Sequence, residues 1–289
     1  MTGGKTMSLS NAQRAEIIVQ ALPYIQKYNN KIIVIKYGGN AMLNDELKKA
    51  VMGDLALLSL IGIRVVLVHG GGPEISELMQ KVGKENAFLD GLRVTDKETA
   101  EIVQMVLAGK ISKDLVNLIQ CIGGKALGLC GIDGHMIEAK PQDERLGYVG
   151  EITRVNAQPV LDALAAGYIP VISTLGCDRQ GSVYNINADI AASRIAGALR
   201  AESLILMTDV QGIQRIPGDE ASMIPELTVS QAIQLIREGV ISGGMIPKTH
   251  CCIDAIRRGV ERVFIIDGRV PHSILIEVLT DEGIGTMFK

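Results

Sequence analysis

Apolar residues fall along this chain in two alternating rhythms. Unbroken runs such as Ile32-Ile33-Val34-Ile35, Val65-Val66-Leu67-Val68 and Leu204-Ile205-Leu206-Met207 stand between longer stretches whose apolar positions recur at helical spacing. Continuous apolar runs suit strands buried on both faces of a parallel sheet, and amphipathic helices are what cover those faces. The pattern predicts strands over 31–36, 63–68, 168–173, 203–207 and 262–266. Helices are expected over about 44–61, 73–82, 96–108, 110–121, 156–166, 189–199, 229–238, 249–258 and 272–280. Thr95 followed by Glu98 is a capping-box signal for one of them. Between Ile137 and Val155 the rhythm changes to alternating Tyr148, Val149 and Ile152 beside Gly147 and Gly150, which reads as a β-hairpin or small antiparallel patch, an excursion of the kind that often covers a pocket. The fold class that follows is α/β with a mainly parallel central sheet.

Ahead of the first strand, Ala15, Ile18, Leu22 and Ile25 mark an amphipathic helix capped by Ser10 or Asn11 and kinked at Pro23. Its apolar stripe packs on its own domain or meets another subunit. Residues Met1 to Met7 read as a flexible lead, and Gly3-Gly4-Lys5-Thr6 lacks the strand and leading glycine of a phosphate-binding P-loop. A soft boundary falls at Gly176 to Gly181, giving an extension over 1–30, one lobe over 31–178 and a second over 179–289. Both lobes are expected to share one sheet, with ligands gathered at the carboxyl ends of its strands.

Composition narrows the class. Hydrophobic residues make up 47% of 289 positions while aromatics are 3% and Trp is absent, so the core is aliphatic. With 29 Lys and Arg against 32 Asp and Glu, the net charge of -3 lacks the basic footprint of a nucleic-acid binder. No apolar run reaches the length of a membrane span. Five cysteines without C-x-x-C spacing and no signal peptide fit a reducing cytoplasm, and the adjacent Cys251-Cys252 pair reads as helix packing. The four histidines are too scattered for a metal cage, so no protein-bound metal is expected.

One design occurs twice: Lys36-Tyr37-Gly38-Gly39 and His69-Gly70-Gly71-Gly72-Pro73 each close a buried strand with glycines. Such turns free main-chain N–H groups to approach anions. Taken singly, each is equally well explained by packing. Neither extends to G-x-G-x-x-G, and no full P-loop is present. Lys36 ends an aliphatic strand and aims its ammonium at the sheet edge. Asp189 opens a small-residue helix, where capping alone would account for it. Lys248 follows Ser242-Gly243-Gly244-Met245-Ile246-Pro247, a second glycine approach to a helix.

The ordered set IKYGGN from Ile35, VHGGGP from Val68, GLRVTD from Gly91, NINAD from Asn185, TDVQGI from Thr208 and GGMIPK from Gly243 resembles the amino acid kinase family. Within that family it resembles the branch that phosphorylates N-acetyl-L-glutamate. The likeness runs from Lys31 to Lys289. It implies a three-layer α/β/α sandwich, and transfer from ATP with Mg²⁺ to the γ-carboxylate of N-acetyl-L-glutamate in arginine biosynthesis. It implies catalytic roles for Lys36 and Lys248, oriented by Asp189. Gly38, Gly39 and Gly71 would present donors to the phosphoryl oxygens, and Gly72, Arg93 and Asn185 would hold the acceptor. Thr208, Asp209, Gly212, Gly243, Gly244 and Met245 would line the nucleotide pocket. A γ-carboxylate is ionised at neutral pH and needs no general base, so His69 reads as structural support.

The N-terminal helix and the tail from His272 resemble the arginine-inhibited members, in which that helix interlaces dimers into a hexamer. The resemblance implies feedback inhibition by L-arginine with His272, Glu277 and Gly283 at the effector. Some members also bind the trimeric signalling protein PII, on which these residues are silent. The rival readings are another acid kinase acting on aspartate, glutamate, carbamate or uridylate, a non-catalytic nucleotide- and arginine-binding regulator, and a dinucleotide-dependent oxidoreductase. Arg93 with Asn185 disfavours the first, the paired lysines the second, and the missing fingerprint the third.

Overall fold

The computed structural model describes residues 10–216 and 218–289, with the side chains of residues 40 and 41 left aside. The Gly3-Gly4-Lys5-Thr6 segment lies outside the described residues. In chain order the strands are β1 Ile32–Tyr37, β2 Arg64–His69, β3 Phe88–Leu89, β4 Leu92–Arg93 and β5 Ala126–Cys130. They continue with β6 Ile137–Pro141, β7 Gly150–Val155, β8 Ile169–Ser173, β9 Leu175–Cys177 and β10 Val183–Asn185. The last are β11 Ser203–Thr208, β12 Glu226–Leu227, β13 Arg262–Asp267 and β14 Thr286–Phe288. The helices are α1 Asn11–Gln20, α2 Leu22–Tyr28, α3 Asp45–Leu60, α4 Gly72–Lys81, α5 Lys97–Gln104 and α6 Ser112–Cys121. They end with α7 Gln158–Ala165, α8 Ala188–Leu199, α9 Val229–Arg237, α10 Met245–Arg257 and α11 Ser273–Leu279.

An eight-stranded sheet runs in the order β12-β14-β13-β11-β1-β2-β8-β5. Every pairing in it is parallel except β13 with β14. The half before residue 178 and the half after it meet where β1 pairs with β11, so the expected shared sheet is present. The proposed division itself falls in the turn between β9 and β10. Odd positions of β1, namely Ile33, Ile35 and Tyr37, enter one apolar layer with α3, α5 and α6. Even positions enter the opposite layer with α7, α8, α9 and α10, where Val34 belongs to the same core cluster as Ala191 and Ile195 of α8. The period-two alternation of a strand therefore produces the three layers and also aims Lys36 at α8.

Several elements depart from the sequence expectation. The break expected near residue 109 is absent: a π-helical segment, Met105–Ile111, joins α5 to α6. Helix α10 begins at Met245, not near 249, so Lys248 lies within its first turn. The hairpin of β6 and β7 is present but belongs to a four-stranded sheet, β10-β9-β6-β7, that the periodicity did not reveal. The N-terminal helix is interrupted at Ala21, with Pro23 opening α2. No residue of α1 is buried, and Ile18 is 72% exposed, so its stripe does not pack on its own domain.

Gly71 is fixed by packing. Its φ of 174° is ordinary extended backbone. A β-carbon there would collide with Ile111 Cδ1 and sit 2.8 Å from Leu107 Cδ2, both on the π-helical segment. Gly71→Ala should therefore overpack this contact and cost about 1–3 kcal/mol. A urea unfolding midpoint equal to that of the parent chain would show that the segment yields freely.

Candidate active site

The site assembles at the carboxyl ends of β1, β2 and β11. Lys36, next to last in β1, is 8% exposed, and its Nζ lies 2.9 Å from Asp189 Oδ1. Lys248 reaches the other oxygen from α10, with Nζ 2.8 Å from Asp189 Oδ2. One carboxylate thus holds two ammonium groups supplied by opposite halves of the chain. Asp189 itself is placed by Asn187, whose side chain caps α8 by accepting from the backbone N–H groups of Asp189 and Ile190. Burial pushes the Asp189 pKa up, and the two lysines overcome that effect to hold it at about 2.

The glycine turns lie beside this triad. A β-carbon on Gly38 would stand 3.3 Å from Lys36 Nζ, so the ammonium rests against that turn. Gly39 adopts a φ of 72°, a left-handed conformation that glycine takes without strain. The two turns are tied together, since the Gly70 N–H donates to the Tyr37 carbonyl at 3.0 Å. Gly71 caps α4 without a side-chain hydrogen bond, and Gly244 does the same for α10. The first-turn N–H groups of these helices have no intrahelical acceptors, which makes both ends suited to anions. His69 is fully buried, and its Nδ1–H donates to the Gly70 carbonyl at 3.0 Å. Burial lowers its pKa to about 4, so the imidazole is neutral and walled off.

Next to the turns, a cavity of about 170 Å³ brings together Gly71, Gly72, Arg93 and Asn185. Arg93 is 7% exposed, and burial lowers its pKa with no charged neighbour offsetting the effect. Its guanidinium donates to the Gly72 carbonyl at 3.0 Å, to Ser76 Oγ at 2.7 Å and to Asn86 Oδ1. These neutral partners fix the fork without neutralising it, leaving a buried positive charge suited to a carboxylate. Asn185 donates to Thr95 Oγ1 at 3.3 Å.

A larger cleft of about 830 Å³ holds Asp189, Lys248, Gly243 and Gly244. Asn187, Gly91 and Leu92 line both cavities, so the two adjoin. The sequence reading missed the hairpin that carries these last two residues. Its signal was the dipeptide Asp90-Gly91, whose φ values of 51° and 79° make the two-residue turn joining β3 to β4. Three further expected nucleotide residues are outside the lining of this cleft, after the carboxyl end of β11. Thr208 ends β11 and folds its hydroxyl onto the Val210 backbone, Asp209 follows it, and Gly212 abuts Thr286. Met245 is partly buried against the core. Near α11, the backbone N–H of Ile284 donates to Glu277 Oε2 at 3.1 Å, and Gly283 faces the same carboxylate. His272 is directed away from them, with Nδ1 2.6 Å from Asp54 Oδ1.

Replacing Asp189 by Asn removes the only charge between two close ammonium groups. Loss of one member of a buried ionic cluster costs about 3–5 kcal/mol. The Asp189 pKa lies below its ordinary value of 3.8, so its stabilisation is complete above that pH and is lost as the pH falls toward about 2. The unfolding free energy of Asp189→Asn should therefore fall short of the parent at pH 7, with the gap closing in acid. An equal gap at pH 7 and at pH 2 would contradict the ionic role.

Residues 31–267 match the model of the amino acid kinase family. Over 283 residues the chain is 55% identical to the acetylglutamate kinase of Brachyspira hyodysenteriae, covering 97% of this chain and 98% of that one. Among solved structures, an N-acetylglutamate synthase from Neisseria gonorrhoeae complexed with coenzyme A and N-acetyl-glutamate superposes with a TM-score of 0.83 at 27% identity. That match covers 95% of this chain and 63% of the synthase. The same synthase complexed with coenzyme A and L-arginine gives a TM-score of 0.79 at 25% identity, over 95% and 65% of the two chains. The match to the family model and the near full-length identity agree with the sheet order and the lysine–aspartate triad: this chain belongs to the amino acid kinase family.

Proposed function

We propose that the chain transfers the γ-phosphoryl group of ATP to the γ-carboxylate of N-acetyl-L-glutamate, forming N-acetyl-L-glutamyl 5-phosphate and ADP. The observation that carries this reading is the contact between two sites. A small cavity with a buried, unneutralised arginine adjoins a larger cleft through Asn187, and that cleft is lined by Asp189 and Lys248, with Lys36 paired to the same aspartate. The near full-length identity to an acetylglutamate kinase supports the same substrate.

In this reading Arg93 and Asn185 hold a carboxylate and neighbouring polar groups of the acceptor, leaving the γ-carboxylate directed at the triad. A carboxylate oxygen attacks the γ-phosphorus, a new O–P bond forms, and the bond to the β-phosphate oxygen breaks to release ADP. No proton moves, because the nucleophile is already ionised, and the neutral, sequestered His69 takes no part. Mg²⁺ enters with ATP as part of the substrate. Lys36 and Lys248 offset charge on the transferring group, while Asp189 keeps both ammonium groups in place before substrate arrives. Gly38, Gly39 and Gly71 supply main-chain donors, and the end of α10 at Gly243 and Gly244 faces the nucleotide phosphates. Thr208, Asp209, Gly212 and Met245 complete the nucleotide side from the carboxyl edge of β11 and the start of α10.

Regulation by L-arginine belongs to this proposal. The exposed α1 carries Ile17, Ile18 and Val19, with Leu22 following, an apolar face that a second copy would cover. A hexamer assembled as a trimer of dimers gives that face a partner. Glu277 and Gly283 share one locus beside α2, and a guanidinium there would meet the Glu277 carboxylate. His272 would act on this site through its bond to Asp54. The likeness to a synthase solved with L-arginine supports the effector. A cytoplasmic setting agrees with the free state of all five cysteines.

ADP release should be rapid with N-acetylglutamate and slow with glutamate, aspartate or carbamate; turnover with none of them would sink the kinase reading. Lys36→Ala should lower kcat about a hundredfold or more while changing KM less, and a near-normal kcat in the folded variant would exclude that role. Deleting residues 1–27 should leave an active, arginine-insensitive dimer. Full inhibition of the truncated protein would remove the helix from the mechanism.

A further inference from the structure

We propose that Arg154, Arg194 and Arg258 form a second anion site, a recess that takes a small polyanion bearing carboxylate or phosphate groups. The recess measures about 370 Å³ and lies between β7 and the outer side of α8, with the end of α10 closing it. Thr153 and Arg154 come from β7, Arg194 and Gly197 from α8, and Arg258 from the cap of α10.

The packing that creates this arrangement is specific. A β-carbon on Gly197 would lie 2.7 Å from Arg258 Cβ, so the glycine lets the Arg258 stem lie across α8. Ser193 ties the same helices together, donating its hydroxyl to the Cys251 carbonyl at 3.0 Å and to Asp254 Oδ2 at 3.3 Å.

The charges around the recess are unequally matched. Arg258 is held by Asp254 at 2.7 Å, and Arg154 by Glu138 at 3.3 Å, a carboxylate that Arg179 also approaches. Glu151 is taken by Lys140 at 3.0 Å. Arg194 has no hydrogen-bond or ion-pair partner among the described residues. Burial lowers its pKa, and the Arg258 charge lowers it further, ahead of the opposing influence of Asp254 and Glu151. A half-buried guanidinium that feels a neighbouring cation more strongly than any acid is relieved by a bound anion. Several guanidinium forks converging from different elements match the oxygens of a polyanion better than those of a single carboxylate.

Arg194 also lines the large cleft that holds Asp189 and Lys248. It sits on the same helix as Asp189, so an occupant of the recess presses on the element that places the triad. The recess and the cleft are nonetheless separate cavities, and binding is measured without turnover, so the outcome is independent of the kinase proposal.

The probes are inorganic phosphate and tricarballylate, titrated calorimetrically into the full chain with and without AMP-PNP. Saturable binding is expected in both conditions, weakened about tenfold in Arg194→Gln and in Arg258→Gln, a loss near 1.4 kcal/mol. Arg200→Gln, which alters an exposed cation at the end of α8, should bind as the parent does. Arg258→Gln should retain the parental kcat, showing that it is folded. Tighter phosphate binding would indicate a phosphorylated ligand, and tighter tricarballylate binding a polycarboxylate; either supports the site. The proposal falls if neither probe saturates, if AMP-PNP abolishes binding, if both recess variants bind like the parent, or if Arg200→Gln loses as much.

Discussion

A buried carboxylate that must hold two ammonium groups at once constrains this molecule more tightly than any other contact. Burial leaves Asp189 little access to water, with its side chain 14% exposed, and without its charge the two ammonium groups would face each other uncompensated. Its two partners lie 2.9 Å and 2.8 Å away on β1 and α10. Holding those distances requires β1 to pair correctly with β11, α8 to start at its Asn187 cap, and α10 to begin early enough to carry Lys248 in its first turn. Sheet register, helix capping and helix packing thus converge on one ion cluster, and each would be only locally important without it.

The same economy explains the surrounding chemistry. Phosphoryl transfer to a carboxylate needs no acid or base, only preorganised positive charge and correctly aimed donors. In the proposed mechanism the glycine turns, the uncapped ends of α4 and α10, and the buried Arg93 serve in that way. His69, the titratable ring of the second turn, is kept neutral by burial and hydrogen-bonded to the Gly70 carbonyl, so its contribution is to the shape of the turn. Positive charge is also concentrated beyond the reaction centre, where Arg194 faces both the cleft and the arginine-lined recess.

Much of this was legible from residue order because strands buried on both faces leave unmistakable apolar runs. Lys36 stood out by ending such a run, and the family motifs named Gly71, Gly72, Arg93 and Asn185, which the fold brings to one cavity. What escaped had weaker local signals. The two-residue strands β3 and β4 are too short to show alternation, although Asp90-Gly91 announced their turn. The small sheet of β6, β7, β9 and β10 draws on segments that are distant in sequence, and its order is set by tertiary pairing. Helix α10 was placed too late because Pro247 resembles a barrier, yet proline is tolerated in a first helical turn, where its missing N–H has no partner to lose. The join at Met105–Ile111 eluded periodicity because a π-helical segment abandons the spacing on which the reading depends.

The pairing of β1 with β11 has a consequence for how the active protein comes into being. Lys36 is aligned with Val68 on one side and Leu206 on the other, partners separated in sequence by nearly half of the chain. Because side chains alternate across a strand, a slip of one residue would turn Lys36 toward α3 and present an apolar side chain to Asp189. Neither half of the polypeptide holds the proposed Lys36–Asp189–Lys248 centre by itself, and the growing chain lacks it until the second half has added its strand to the first. With the proposed centre, a chain emerging from synthesis is chemically silent toward ATP until its last long-range contacts close, so catalytic competence and completed folding arrive together.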